Sequence, residues 1–274
     1  MEVGQYKIGA IIQARLGSKR LPNKVLMPIG NGNRTILSQI INQLNKVIKI
    51  NKVVVATSVS KINDKLETYI KEFNIDCYRG DEENVLSRFS DVIKQNDFDY
   101  VLRFTADNPV IDTIYLEEFI ENVLTKKLDY SYSKSLPLGC NFEMINAKLL
   151  VESDEKATEV YDKEHVTPYV KRMTENKSIF EFPMRSLFRE LRLTVDYPTD
   201  YSFLYLVSSM LKDKELNLDN ILALIKDNNW LLKINESNFQ KKEYKDIAEE
   251  LSDLLPILQV REMKRIEKKL IDEI

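Results

Sequence analysis

Histidine is the scarcest reactive residue in this 274-residue chain: His165 stands alone, beside only two cysteines, Cys77 and Cys140. The cysteines lie far apart with no CxxC or CxxH spacing, which argues against a disulfide framework or a Cys/His zinc site and makes a reduced, cytoplasmic setting the expectation. No Ser/His/Asp or Cys/His arrangement is present, so a covalent nucleophile is not expected. No apolar run approaches the roughly 20 residues of a membrane span, and Met1–Lys7 lacks the apolar stretch of a signal peptide, so no membrane partner is expected. A surplus of one charge sign is also missing, since 40 Lys and Arg against 43 Asp and Glu leave a formal net charge of -3. Non-specific nucleic-acid binding draws on a broad basic field, so no nucleic-acid partner is expected and any positive site must be local. There is no internal repeat and no low-complexity linker. At 43% hydrophobic residues, the chain is able to bury a core as one large domain, or as one domain with an appendage.

What is present is an alternation. Gly9–Ala14 (GAIIQA), Lys52–Thr57 (KVVVAT) and Tyr100–Thr105 (YVLRFT) are short apolar or β-branched runs that read as buried strands. Thr35–Lys46, Asp64–Phe73 and Asn84–Gln95 carry apolar residues at helical spacing between them. This rhythm predicts an α/β fold with a doubly wound, mostly parallel sheet covered by helices on both faces. Ligands of such sheets bind beyond the carboxyl ends of the strands, which directs attention to Arg15–Lys24, Ser58–Lys61 and Ala106–Pro109. From 129 to 190 the rhythm weakens and an inserted lobe or interface segment is expected, after which Arg192–Val195 (RLTV) reads as a strand returning to the sheet. From 236 to 274 the spacing is helical with a break at Pro256, either solvated helices or an oligomerisation arm. The expected layout is therefore a domain over 1–235, containing the lobe at 129–190, and a helical extension over 236–274.

Strand GAIIQA runs straight into the loop from Arg15 to Lys24, which holds two Arg, two Lys, a Gly, a Ser and a Pro. Three readings compete: a charged surface loop, a nucleic-acid contact, and a phosphate cradle. In the third, Gly17 and Ser18 permit a turn whose backbone N–H groups face an anion, while Arg15, Arg20 and Lys24 supply charge and donors. The loop is not a Walker A motif, because GxxxxGK[ST] is absent. Cations held this close repel one another unless an anion visits, and a triphosphate matches three of them. A triphosphate brings a divalent cation with it, so hard oxygen ligands are expected at neighbouring strand ends. Asp107 follows YVLRFT and Asp196 follows RLTV, each with a proline two residues on, Pro109 and Pro198. Singly such residues read as caps or turn residues; together, beside the cationic loop, they are candidate metal ligands.

The stretch IIQARLGSKRLPNKVLMPIG resembles the first motif of the cytidylyltransferases that activate acidic sugars, relatives of the acylneuraminate and 3-deoxy-manno-octulosonate enzymes. YRGDEENVLSRF, VLRFTADNPVID, PLGCNFEMIN, DKEHVTPYV and LRLTVDYPTDYSFL follow in the order and spacing of the spore coat polysaccharide biosynthesis protein F branch, so the resemblance covers roughly residues 8 to 205. It implies a nucleotide-diphospho-sugar transferase-like fold and transfer of CMP from CTP to a small sugar acid or related acceptor, with release of pyrophosphate. It further implies that Arg15, Ser18, Arg20 and Lys24 bind the triphosphate and that Asp107 and Asp196 hold Mg²⁺; Arg15, Lys24, Asp107 and Asp196 form the expected catalytic set. Thr105, Asp81 and Arg88 complete the expected nucleotide contacts, although Asp81 reads equally as a cap before the helix from Asn84. The chain departs from the pattern at Ala106, where Gly is usual in a TGD triplet, and at Asn141, where an acidic residue is usual.

Glu143, Glu164 and His165 are the expected acceptor-binding residues. His165 reads either as a general base or as a residue fixing the lobe. Glu143 and Glu164 either orient the acceptor or pair with Lys148 or Lys163. A homodimer through the 129–190 segment is expected. Two other functions stay open: a non-catalytic nucleotide-binding subunit, and a glycosyltransferase using a finished nucleotide sugar. The latter lacks a DxD triplet, since Asp107 and Asp112 are spaced too far apart.

Overall fold

The computed structural model describes residues 6–183, 191–238 and 247–272. Residues 184–190 of the expected lobe and 239–246 of the expected extension lie outside these. The chain divides into two compact units, Met1–Ser237 and Asn238–Ile274.

The first unit is built on a seven-stranded sheet. Strands β1 (Ile8–Gln13), β2 (Lys52–Ser58), β3 (Asp76–Gly80) and β4 (Tyr100–Thr105) are joined by helices α1 (Ile36–Leu44), α2 (Asp64–Ile70) and α3 (Val85–Asn96). After α4 (Thr113–Lys126) come β5 (Tyr130–Lys134), β6 (Glu143–Asn146), α5 (Ala147–Lys156), α6 (Val160–His165), α7 (Pro168–Met173) and β7 (Lys177–Glu181). The strand order is β3-β2-β1-β4-β6-β5-β7. β1 pairs in parallel with β2 and β4, β2 with β3, and β5 with β7; β6 runs antiparallel between β4 and β5. Both faces of β1 are covered, Ile11 entering one core with α3, α5 and α7 residues, and Ile12 the other with α1 and α4 residues. A Cβ at Gly9 would lie 2.4 Å from the Phe98 ring, so β1 packs there only because its residue has no side chain.

The topology decides where chemistry belongs. Winding proceeds outward from β1 to β2 and β3 on one side and to β4 on the other, so the crevice opens at the carboxyl ends of β1 and β4. The loops carrying Arg15–Lys24 and Ala106–Pro109 leave the sheet at that point.

Three expectations are corrected. Residues 129–183 are not a separate lobe: they supply β5, β6 and β7 to the main sheet. Their strands are short, and β5 (YSYSK) and β7 (KSIFE) alternate polar residues with larger apolar or aromatic ones, which hides them from a search for apolar runs. Arg192–Val195 is not a sheet strand; Leu138 forms an isolated bridge with Arg192, and Val195 N–H donates to the Asp107 carbonyl at 2.8 Å. Its four residues are buried, but their backbone partners lie in loops rather than in strands. In the second unit, helix Ile247–Val260 runs through Pro256, and the chain turns at 261–263 before helix Lys264–Asp272. A proline forfeits one helical hydrogen bond without necessarily ending the helix. Within that unit the Gln259 amide donates to Glu267 at 2.7 Å.

Candidate active site

The loop after β1 is pinned at both ends. Leu16 N–H donates to Oδ1 of the buried Asn63 at 2.9 Å, and Asn23 N–H closes the turn onto the Leu16 carbonyl at 3.2 Å. Asn23 takes a left-handed conformation with φ 59°, which turns the chain into the single 3-10 turn Lys24–Leu26. Between these anchors the backbone N–H groups of Gly17, Ser18, Lys19 and Arg20 donate to no acceptor among the described residues, while Ser18 Oγ accepts from Leu21 N–H at 3.4 Å. The four amides of the expected cradle are therefore without a protein acceptor among the described residues, with Arg15 exposed beside them.

Lys24 departs from that cradle. It is buried, and its ammonium donates to Asp107 Oδ2 at 2.8 Å, to the Val195 carbonyl at 2.7 Å and to Asp196 Oδ1 at 3.1 Å. Three acceptors consume all three of its donors. The side chain expected to grip a triphosphate thus serves in this structure as the internal cation of the two carboxylates. Arg20 shares Asp196 at 3.0 Å and lies over the Tyr197 ring, 4.9 Å from its centroid.

Asp107 and Asp196 are held by their own supports. Thr105 donates to Asp107 Oδ1 at 2.6 Å and accepts from the Asn108 amide at 2.8 Å. Burial alone would push the Asp107 carboxyl upward, but the adjacent Lys24 ammonium and the hydrogen bonds from Lys24 and Thr105 outweigh it and hold the group below the ordinary range. Asp196 is steadied by residues that sequence reasoning missed. Arg192 reaches Asp196 Oδ2 at 3.2 Å and grips the buried Asp200 through two donors, at 2.8 and 3.1 Å. Asp200 accepts from the backbone N–H groups of Asp196 and Tyr197 at the start of helix Pro198–Leu211, and from Asn235. The only signal for this was the capping-box spacing from Tyr197 to Asp200.

Arg88 has a different character. It is 4% exposed, its Nε has no partner, and it forms no ion pair among the described residues. Burial, and after it repulsion from the nearby Arg15, lowers its pKa. Asp81 accepts from the backbone N–H groups of Glu83 and Asn84, at 2.8 and 2.7 Å, just before α3, while Asn84 caps that helix. Its carboxylate thus closes a turn ahead of the helix, and Asn84 rather than Asp81 is the cap.

The expected acceptor residues divide. Glu143 is at the centre of a network on the α3 face: its carboxylate accepts from Tyr130, from Thr167 at 2.9 Å and from Arg103 at 3.1 Å, and pairs with Lys171 at 3.0 Å. Neither Lys148 nor Lys163 is its partner. Burial would raise the Glu143 carboxyl, but Arg103 and Lys171 overcome it and bring it down to about 2. Glu164 and His165 are exposed, and His165 lies against Tyr161 of its own helix, the rings tilted by 52° with centroids 4.5 Å apart. The structure does not bring either onto Glu143; the neighbouring Thr167 takes that place.

The two departures from the family pattern have local explanations. Ala106 is buried and is not among the residues with positive φ, so its Cβ is accommodated. The Asn141 amide donates to the Leu136 and Pro137 carbonyls at 3.2 and 3.4 Å, a clamp an aspartate could not form. It closes a turn in which Gly139 has φ 96° and packs against Thr194; a Cβ there would lie 2.7 Å from the Thr194 nitrogen. Two surface cavities of about 360 and 530 Å³, sharing Arg34, Lys46 and Glu215 in their walls, include none of the expected site residues. Among the described residues no helix is long and apolar enough to cross a membrane.

The cytidylyltransferase family model matches residues 9–252. An uncharacterised protein of Methanocaldococcus jannaschii is 32% identical over 248 residues, covering 89% of this chain and all of that one. The spore coat polysaccharide biosynthesis protein SpsF of Bacillus subtilis is 36% identical over 198 residues, covering 70% of this chain and 82% of its own. The structure of a cytidylyltransferase from Leptospira borgpetersenii superposes with a TM-score of 0.76 at 28% identity, over 87% of this chain and all of that one. A family model spanning most of the chain and a relative 36% identical over 70% of it meet in one assignment: this protein belongs to the cytidylyltransferase family and is a CTP-dependent nucleotidyltransferase.

Proposed function

We propose that the protein transfers CMP from CTP to a small sugar acid, releasing pyrophosphate, in the making of a surface polysaccharide or glycan. The observation that carries this reading is the convergence of Asp107, Asp196 and the Val195 carbonyl on one cation position at the mouth of the β1/β4 crevice. Lys24 fills that position with an ammonium. Hard oxygens gathered around one cation also fit Mg²⁺. Among the described residues no group of three or more His, Cys, Asp or Glu side chains converges, so two carboxylates are what the protein offers and phosphate oxygens or water would complete the shell. When bound, the metal supplies neutralisation of phosphate charge.

The chain's own residues account for the rest. An acceptor hydroxyl oxygen bonds to the α-phosphorus of CTP, the bond from that phosphorus to the bridging oxygen breaks in line, pyrophosphate leaves, and the hydroxyl proton passes to solvent. The free amides of Gly17–Arg20, with Arg15 and Arg20, hold the triphosphate, and Arg88 supplies the buried cation that lacks an anion in the protein itself. Catalysis is then mainly positioning and electrostatic stabilisation. His165, exposed and lying against Tyr161, is not needed as a base in this scheme. The polysaccharide context rests on the similarity to SpsF. A homodimer belongs to the same reading: β7 is an edge strand that exposes Ile179, and a monomeric mass in solution would remove that element.

The test is pyrophosphate release from CTP with sugar-acid acceptors. Asp107→Asn is expected to lose turnover by ~10² to 10³, the effect of deleting one transition-state electrostatic contact. Near-normal turnover in that variant would take Asp107 out of the reaction. CTP binding without turnover of any acceptor would favour a non-catalytic subunit.

A further inference from the structure

Among the charged groups outside the Lys24 cluster, one network is partly covered and partly open to solvent. Arg103 lies on β4 two residues before Thr105, so the two side chains share a face roughly 7 Å apart along the strand. Its Nε donates to Gln13 Oε1 at 3.2 Å and one Nη donates to Glu143 Oε2 at 3.1 Å. Its other terminal nitrogen, Nη2, donates to nothing among the described residues. Lys171 arrives from α7, pairs with the second Glu143 oxygen, and sits over the Tyr130 and Tyr132 rings at 5.4 and 5.7 Å.

Glu143 itself is an acceptor already engaged by four donors. One oxygen takes Tyr130, Thr167 and Lys171 and the other takes Arg103, and the side chain is 12% exposed. Arg103 and Lys171 are more open, at 20% and 44%. The charges do not cancel: two cations share one carboxylate, which leaves a single positive charge at a partly exposed site near the carboxyl end of β4. The turn delivering Thr167 and Lys171 is unusual, because Val166, fully buried and β-branched, has φ 72°. Such a conformation persists only where its surroundings impose it.

We propose that Arg103 and Lys171 form the anion-recognition pair for the acceptor's carboxylate, with Glu143 as the positioning residue that holds both rather than an acceptor ligand. This rests on the cytidylyltransferase reading above. The free Nη2 presents a donor edge at this site, and a single excess positive charge is neutralised by a carboxylate rather than by a phosphate dianion. The pair lies on the same face as Thr105, whose hydroxyl holds Asp107, so a sugar ring would span from the carboxylate contact to the hydroxyl that attacks phosphorus.

The experiment compares 2-keto sugar acids, their methyl esters and hexose 1-phosphates as acceptors in the full-length protein, by pyrophosphate release from CTP and by thermal protection. The wild type is expected to use and be protected by an acid but not its ester. Arg103→Met and Lys171→Gln should each raise the KM for that acid by about tenfold or more, the loss of one charge-assisted contact, with the KM for CTP nearly unchanged. Lys171 is partly exposed, so its variant keeps the test alive should Arg103→Met fold poorly. Glu143→Gln should raise the KM for the acid with a smaller change in kcat. Unchanged acid KM in both cation variants, equal use of the ester, or use of 1-phosphates in place of acids would each overturn the proposal. If CTP protects but no sugar acid binds or reacts, the pair is not an acceptor site and the nucleotide reading stands. If CTP neither protects nor reacts, the functional reading itself falls.

Discussion

Replacing Lys24 with methionine isolates the role of the ammonium. The substitution keeps length and apolar bulk while deleting a charge that three buried or half-buried oxygens share. Asp196 retains Arg20 and Arg192, but Asp107 keeps only the Thr105 hydroxyl as a side-chain donor. The uncompensated charge is therefore Asp107's, and breaking a buried pair by removing one partner costs about 3–5 kcal/mol. For a chain of this size that corresponds to roughly 10 °C in melting midpoint. The assay is urea unfolding, an uncharged denaturant, of wild type, Lys24→Met and Lys24→Met/Asp107→Asn, each with and without Mg²⁺ or Mn²⁺. The double variant should recover part of the loss, since removing the stranded carboxylate removes the penalty. A divalent cation at ~100 times its dissociation constant should return about 2.7 kcal/mol to Lys24→Met. In the wild type without nucleotide it should add little, because the ammonium already occupies the position. Lys24→Met as stable as the wild type would refute the counter-ion role. A destabilised variant that divalent ions help no more than they help the wild type would show that the two carboxylates do not hold a metal.

Arg88→Met should have the opposite sign on stability: deleting a buried, partnerless cation beside Arg15 should leave the free protein as stable or more stable, while protection by CTP falls about tenfold or more in affinity. A strongly destabilised Arg88→Met protein would mean that the guanidinium has a structural partner. The Glu143 carboxyl gives a pH dependence. Its folded value of about 2 lies below the ordinary 4.5, so the stability it contributes is present above pH 4.5 and is lost as pH falls toward 2. The contribution is ~3 kcal/mol at most. Urea stability of wild type minus Glu143→Gln should therefore be largest near neutral pH and shrink through that window; a difference that ignores pH would contradict the assignment.

The sheet was legible in part because its central strands are buried on both faces. GAIIQA, KVVVAT and YVLRFT have no polar alternation to confuse, and YVLRFT coincides with β4 residue for residue. β5 and β7 escaped for the opposite reason, since each has a face too polar to register as an apolar run. The position of the crevice followed from the same strands, because a site at their carboxyl ends is a consequence of topology. Asp107 and Lys24 were therefore found as members of one place, whereas Asp196 was reached through RLTV, which is not a sheet strand. How they would meet was not visible, because which cation neutralises which carboxylate depends on side-chain reach across 83 and 172 positions of sequence.

The same limit explains Glu143 and leads to a more general point about this site. From sequence, an isolated glutamate near a glycine turn invites a direct role, and its neighbours Lys148 and Lys163 invite local pairing. The structure gives it partners 40, 28 and 13 residues away, none in sequence reach. Yet one signal was on the page: Arg103 is the only charged residue inside three otherwise apolar or neutral central strand cores, if the leading Lys52 is set aside. A buried strand tolerates an arginine only when a carboxylate meets it or a ligand does. Here Glu143 meets one edge of the guanidinium and leaves Nη2 free, so both conditions bear on one residue. The crevice then carries two designs of opposite polarity on neighbouring strand ends. At Lys24 a cation is enclosed by oxygens, and admitting a metal requires that the ammonium move. At Arg103 and Lys171 cations enclose a carboxylate and keep one charge in excess, and an anion binds without displacing anything. The reacting atoms of a nucleotidyl transfer to an acid would fall between them.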